Sequence, residues 1–425
     1  MTAIPSAGFD SGEVLSLHPF MPKPRAFILL AALFALAVKL CIAALTVGTN
    51  DAESFYNFGR FIWEHGLLAQ YRAAPEFNHT PMTGWFCAAA YGIGRGLGFN
   101  WFLRVPGILA DFVSVLALLR WREAAGRPPW WALALFALSP VSAMVSGYHG
   151  NMDSVLTCLV LLAVRECNRG RATACGVWLG LACNVKVIPL LVAPVFFFFW
   201  LSRERAREFF LPASMCILAG WSVPLIALPG IFLGQVLGYS SNWGSWGIPY
   251  ALRASGLPLF EPLGFMGLTP AQAMIMTLLK GGIVALALWI AWRRRAMQAS
   301  ALFSTIAFVW AEFFVLAPGV GAQYLVWIAP FLLVDSALWY AGVTLASGIF
   351  LGVFYQTVSG GWPWYRGIST AELLPAWVGW SLLPWIALAA FLFARRSEIF
   401  GLAPRAREGC QTTKIPDGVE IQNIH

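Results

Sequence analysis

Residues 176–201, GVWLGLACNVKVIPLLVAPVFFFFWL, form an apolar run long enough for one membrane helix, yet basic clusters flank it on both sides. These are RECNRGR at 165–171 and RERARE at 203–208. Short loops rich in Lys and Arg stay on the cytoplasmic side of a bilayer, so a single crossing cannot carry such a loop at each end. The run therefore divides near KVIP, where Pro189 lacks a backbone N–H and Lys186 interrupts the apolar sequence. Two short helices, 172–185 and 188–202, are expected, joined by a tight outer turn that carries Lys186.

The rest of the chain obeys the same logic. Of 425 residues, 59% are hydrophobic and 11% charged, with a mean hydropathy of +0.69; soluble domains carry about 25% charged residues. An all-α polytopic membrane protein of about 12–13 transmembrane segments is expected. Its spans fall near 26–47, 81–98, 102–120, 129–147, 152–165, 172–185, 188–202, 209–229, 270–292, 299–317, 322–336, 337–356 and 374–394. The net charge of +8 resides in arginine clusters beside apolar runs, such as RWREAAGR at 120–127, RRR at 293–295 and ARR at 394–396. That pattern orients a membrane protein and gives no reason to expect nucleic acid as a partner. Cytoplasmic tails at 1–25 and 397–425 flank one membrane domain at 26–396, with outer loops at about 48–80 and 230–269. No cleavable signal peptide is expected. One conflict remains. If the N-terminus is cytoplasmic, 81–98 and 102–120 cannot both be full spans; either one is re-entrant or interfacial, or the N-terminus is outside.

The cysteines lie mostly within apolar segments and form no CxxC or CxxH pattern, so neither zinc nor a disulfide framework is indicated. There is no P-loop, HExxH, GxSxG or dinucleotide fingerprint in a suitable context, and no soluble nucleotide-binding domain. Chemistry must therefore come from polar residues at the outer face.

The first outer loop opens with GTNDAESFYNFGRF at 48–61. Asp51 is either an ordinary solvated acid past a helix end or a carboxylate held at the interface as a general base; Glu53, two residues on, points elsewhere. Apolar Phe55, Phe58, Ile62, Leu67 and Leu68 alternate with polar residues, as in helices lying in the membrane interface with their aromatic side down. His79 closes the loop in FNHTP. His149, Asn151 and Asp153 in YHGNMDS begin a span on the same side, where an N-cap and a ligand are compatible roles. Lys186 either snorkels or neutralises a phosphate. Gln323 and Tyr324 follow a helix break at Pro318, Gly319 and Gly321. Lys39 and Asp111, deeper in their spans, are read as a structural ion pair. The Trp- and Tyr-rich second loop suits either stacking on sugar rings or an interfacial aromatic belt.

The order of these motifs resembles the GT-C class of integral-membrane glycosyltransferases. NDAESFYNF is similar to the GDYEAQ pattern of dolichyl-phosphate-glucose-dependent glucosyltransferases, FNHTPMTGW to their YPPLT segment, and YHGNMDS to GHFQYNS. KVIPLLVAP resembles their Lys-containing turn, and APGVGAQYLVWIAPFL resembles the QYLLW segment of GPI-pathway and bacterial mannosyltransferases. The likeness runs through residues 50–332. It departs from the family at Asn50-Asp51, where many relatives have Gly-Asp, and at His79-Thr80-Pro81, where they have Pro-Pro; the acid survives, while sugar and acceptor stay open.

The resemblance implies a GT-C-like fold with interfacial helices in the first outer loop. It also implies transfer of mannose or glucose from a polyprenyl-phosphate sugar to an extracytoplasmic lipid-linked or other glycan acceptor, in one inverting displacement. Asp51 would be the catalytic base, with Lys186 and His149 on the donor phosphate. Glu53, His79, Asn151, Asp153, Gln323 and Tyr324 would contact substrate. The chain has no clustered acids of the kind that hold a metal, so no metal or other cofactor is expected. Membrane lipids are the remaining partners, and the bacterial inner membrane is expected rather than the endoplasmic reticulum. A secondary transporter or a lipid or sugar flippase is the alternative, although no internal repeat of broken helices is evident.

Overall fold

A computed structural model describes residues 24–95, 97–238, 243–261, 263, 267–358 and 378–400. The expected tails therefore lie outside it except for residues 24–25 and 397–400, which are helical. Among the described residues there is no β-strand, only an isolated bridge between Leu263 and Gly267. The chain forms α1 (Pro24–Leu45), α2 (Asn50–His65), α3 (Leu67–Ala73), α4 (Pro81–Ile93), α5 (Leu97–Ala125), α6 (Trp130–His149), α7 (Asp153–Asn168), α8 (Ala172–Val185), α9 (Ile188–Leu201) and α10 (Ala206–Ala227). These are followed by α11 (Pro229–Gly238), α12 (Gly247–Ala254), α13 (Pro270–Arg293), α14 (Ala299–Leu316), α15 (Ala322–Asp335), α16 (Ala337–Val358) and α17 (Gly379–Ala394). Seven of them, α1, α5, α6, α10, α13, α14 and α16, are long and apolar enough to cross a bilayer. Helices α8, α9, α11, α15 and α17 are apolar but shorter. The architecture is all-α and polytopic.

The division near Lys186 is present: α8 stops at Val185, Lys186 is extended, and α9 begins with a 3₁₀ turn at Ile188. Two boundaries differ from the sequence reading. Helix α4 has 13 residues, or about 20 Å of helix against a hydrocarbon core of about 30 Å, so 81–98 is not a full span. Helix α5 begins at Leu97 rather than 102. The expected span at 374–394 begins outside the described residues, and α17 starts at Gly379.

Helix α2 also differs. Its face of Ala52, Phe55, Gly59 and Ile62 is buried, but against protein. A Cβ on Gly59 would collide with the Cys87 carbonyl of α4, so the two helices meet at backbone distance. Phe55 and Phe58 pack with Phe77 and His79. The aromatic residues thus fasten the loop onto α4, because a neighbouring helix supplies the apolar surface that the lipid interface was expected to provide.

The basic turns meet at one end of the bundle. Arg205 donates to the Gly170 carbonyl, Arg203 to that of Met297, and Arg294 to that of Glu398. Inside, Lys39 Nζ lies 2.8 Å from Asp111 Oδ2, which also accepts from Ser142 and Ser146 at 2.6 and 2.5 Å. The two residues are a satisfied ion pair tying α1, α5 and α6 together.

Helices α8 and α10 approach through Gly176 and Gly180, whose added Cβ atoms would strike the Phe209 and Ala213 carbonyls and Cys216. This small-xxx-small spacing lets backbones touch where no aqueous hydrophobic effect drives association. Gly176→Leu is expected to lower the thermal unfolding temperature in detergent, with overpacking costing about 1–3 kcal/mol or more. Gly234→Leu, on an exposed face with open space around it, is the control and should leave the midpoint unchanged.

Candidate active site

At the end opposite the basic turns, a buried arginine fixes the exit from α1. Arg104 of α5 donates to the carbonyls of Ala43, Thr46 and Val47 at 3.3, 3.0 and 2.7 Å, and to Thr46 Oγ1 at 2.9 Å. It satisfies carbonyls that a helix end leaves without intrahelical partners. Gly48 passes over the guanidinium at φ +99°, where any side chain would collide with it. The Tyr148 hydroxyl donates to the Gly48 carbonyl at 3.1 Å. The linker is thereby held, and α2 starts with Asp51 in its first turn.

Helix α6 ends in a π-helical stretch, Ala143–His149, of a kind that recurs at functional sites. Gly150, left-handed at φ +85°, then turns the chain so that Asn151 and His149 face the same carboxylate. His149 Nε2 lies 2.9 Å from Asp51 Oδ2, and Asn151 Nδ2 donates to that oxygen at 3.2 Å. An ionised carboxylate only accepts, so Nε2 carries the proton. Thr49 Oγ1 sits 3.1 Å from His149 Nδ1 and fixes the ring from behind.

Both partners take Oδ2, and Asp51 keeps a third of its side chain exposed. Among the described residues, Oδ1 has no partner. Burial works to raise the Asp51 pKa, but the charge and hydrogen bond of His149, with Lys186 and His79 acting at longer range, outweigh it and hold the carboxyl at about 2. The group is ionised throughout the neutral range.

Beside it, Asp153 is fully buried and accepts from Lys186 Nζ at 3.0 and 2.8 Å and from Trp327 Nε1 at 2.7 Å. Tyr324 stacks on Trp327 at 4.1 Å, and Lys186 Nζ stands 5.0 Å from the Tyr324 ring centre. Lys186 owes its position to Thr80 and Thr83 at the start of α4. Thr80 donates to the carbonyls of Asn184 and Val185, and Thr83 donates to that of Val185 at 2.7 Å.

His79 enters from the other side among Phe55, Phe58 and Phe77. Burial, then the Lys186 charge, lowers its pKa to about 3 against the pull of Asp51, so it is a neutral imidazole at physiological pH. Gln323 is half-buried beside Tyr324. Glu53 is exposed on α2 and makes none of these contacts. In the second loop, Trp243 and Trp246 are buried, their indole N–H groups bound to the carbonyls of Leu259 and Phe314. They serve packing and offer no platform for a sugar ring.

The structure adds Thr49, Trp327 and Tyr355 to the site, the last with its ring 5.5 Å from that of His149. Trp327 lay within the singled-out QYLVW, three residues after Tyr324, a spacing that places both on one side of a helical turn. Thr49 and Tyr355 had no sequence signal. Among the described residues, no three His, Cys, Asp or Glu side chains converge as metal ligands.

Residues 95–235 match the model of the ALG6, ALG8 glycosyltransferase family. That third of the chain contains His149, Asn151, Asp153 and Lys186, while Asp51 lies before it. No curated protein matches the chain.

Because His149 supplies the main lowering influence on Asp51, removing its imidazole raises the carboxyl pKa. In the unaltered protein, protonation of Asp51 contributes no acid limb above about pH 4 to the pH profile of any activity that needs this carboxylate ionised. His149→Gln is expected to bring such a limb up into the range of about pH 4–6. An unchanged profile would remove His149 as the controlling group.

Proposed function

We propose that this chain, an integral-membrane glycosyltransferase of the GT-C type, moves mannose or glucose from a polyprenyl-phosphate donor to a hydroxyl of a lipid-linked or other glycan acceptor on the extracytoplasmic face. Asp51 is the general base. The acceptor oxygen attacks the anomeric carbon as the bond from that carbon to the phosphate oxygen breaks, so configuration inverts. The hydroxyl proton passes to Asp51, and the electron pair leaves with the lipid phosphate.

The observation that carries this reading is Asp51 Oδ1, which has no partner among the described residues. Oδ2 is fixed by His149 and Asn151, which leaves one oriented, ionised and accessible oxygen. A carboxyl with a pKa of about 2 is a weak base towards a resting hydroxyl. It suffices where the hydroxyl becomes acidic only as its oxygen bonds to a cationic anomeric centre, because the proton then moves late.

Lys186 takes the departing phosphate. Its ammonium is held against Asp153, so an arriving phosphate competes with that carboxylate, and Trp327 keeps Asp153 in place meanwhile. Tyr324, Gln323 and neutral His79 bound the substrate space, and exposed Glu53 lies on the acceptor approach. The bacterial inner membrane is the proposed setting.

The test is sugar transfer by purified protein supplied with polyprenyl-phosphate mannose or glucose and membrane glycolipid acceptors. Asp51→Asn should leave thermal unfolding unchanged and lower kcat by about 10²- to 10⁴-fold, the usual contribution of a general base. Full turnover by that variant overturns the assignment. Lys186→Ala should raise the donor KM, and an unchanged donor KM would remove the phosphate role.

A further inference from the structure

A cavity of about 360 Å³ opens among the basic turns, at the lower end of the range for small-molecule pockets. It lies where α14 begins and α15 ends. Trp327 belongs to the Asp51 site and Asp335 lines the cavity, with roughly 12 Å of helix between them. The two sites therefore face opposite ends of the bundle.

The cavity wall carries Arg127, Arg294, Arg395, Asp335 and Glu398, with Met297 and Phe303 along an apolar edge. Much of this charge is already engaged. Arg294 is engaged by Thr305 Oγ1, Ser304 Oγ and the Glu398 carbonyl at 2.8, 2.7 and 3.2 Å. Arg395 binds Asp335 Oδ1 at 2.8 Å and Glu398 Oε1 at 3.1 Å.

What remains is specific. Arg127 has no hydrogen-bond or ionic partner among the described residues. Among the described residues, Arg395 Nε is buried without an acceptor and Asp335 Oδ2 is buried without a donor. The Asp335 side chain is 5% exposed. Leaving buried polar atoms unpaired is costly, so a group that supplies both missing partners would bind. The cavity has two donors seeking an anion and, beside them, one carboxylate oxygen seeking an N–H or O–H.

We propose that it holds the headgroup of a glycerophospholipid from the adjoining leaflet, one whose phosphodiester bears a hydrogen-bond donor such as ethanolamine or glycerol. The phosphate oxygens meet Arg127 and Arg395 Nε, the amine or hydroxyl donates to Asp335 Oδ2, and Met297 and Phe303 flank the glycerol end. Choline has no N–H and cannot complete the set. Inorganic phosphate keeps a P–OH donor at neutral pH but has no apolar end to meet Met297 and Phe303. The location agrees with this occupant, since arginine-rich faces of membrane proteins lie at headgroup depth.

The test is native mass spectrometry of the full-length protein with phosphatidylethanolamine, phosphatidylglycerol and phosphatidylcholine of matched acyl chains. Ethanolamine and glycerol lipids should be retained about five- to tenfold over the choline lipid, the effect of one charge-assisted hydrogen bond. Arg127→Gln, on an exposed side chain outside the catalytic site, should cut that retention by a similar factor and leave sugar transfer unchanged. Asp335→Asn should weaken the preference over choline. Equal retention of all three lipids, or full retention by Arg127→Gln, overturns the proposal. Displacement by inorganic phosphate as efficient as by glycerophosphoethanolamine assigns the cavity to a free anion and also overturns it.

Discussion

The ion pair between Asp153 and Lys186 joins three parts of the chain that no local rule brings together: the start of α7, the break between α8 and α9, and, through Trp327, the first turns of α15. Burying two charges costs several kcal/mol apiece, and their attraction offsets that only when geometry is good and the remaining lone pairs are used. Here both Asp153 oxygens receive the ammonium, and one also receives the Trp327 indole N–H. Loss of either partner would strand a charge in a low-dielectric interior. The broken helix at Lys186 is tolerable for a related reason: Thr80 and Thr83 supply donors to buried carbonyls that the break leaves without helical partners.

From this fastening the site follows. With Lys186 fixed, its field reaches Asp51 and His79, and it pushes both pKa values down. Arg104 determines where α1 lets go of the chain, and hence where α2 begins and which way Asp51 points. The π-helical end of α6 and the left-handed Gly150 bring two side chains onto one carboxylate oxygen and leave the other open. Backbone irregularity at Lys186, Gly48 and Gly150 is thus concentrated at the candidate site, while the long regular helices lie elsewhere.

Asp51, His149, Asn151, Asp153 and Lys186 were legible because each is a polar residue next to an apolar run, where an ionisable group is expensive and invites explanation. Asp51 and Glu53 could be told apart only weakly, by a spacing of two on a helix. The second loop misled. A Trp-rich stretch reads the same whether its rings meet sugar, lipid or protein, and Trp243 and Trp246 met protein. The Gly176 and Gly180 pair was present in the letters but silent until α10 lay against it.

By itself, the sequence determined the membrane class, the helix break at Lys186, the gathering of basic turns and the small set of polar residues able to do chemistry. Hydropathy, helix-breaking and loop charge act locally, between each residue and the bilayer, so they can be read one segment at a time. Tertiary structure decided that α4 stops short of a span, that α2 rests on protein, that Lys186 is paired with Asp153, and that Asp51 presents Oδ1. Those outcomes depend on contacts between residues about 30 to 100 positions apart, which close packing fixes and linear order does not.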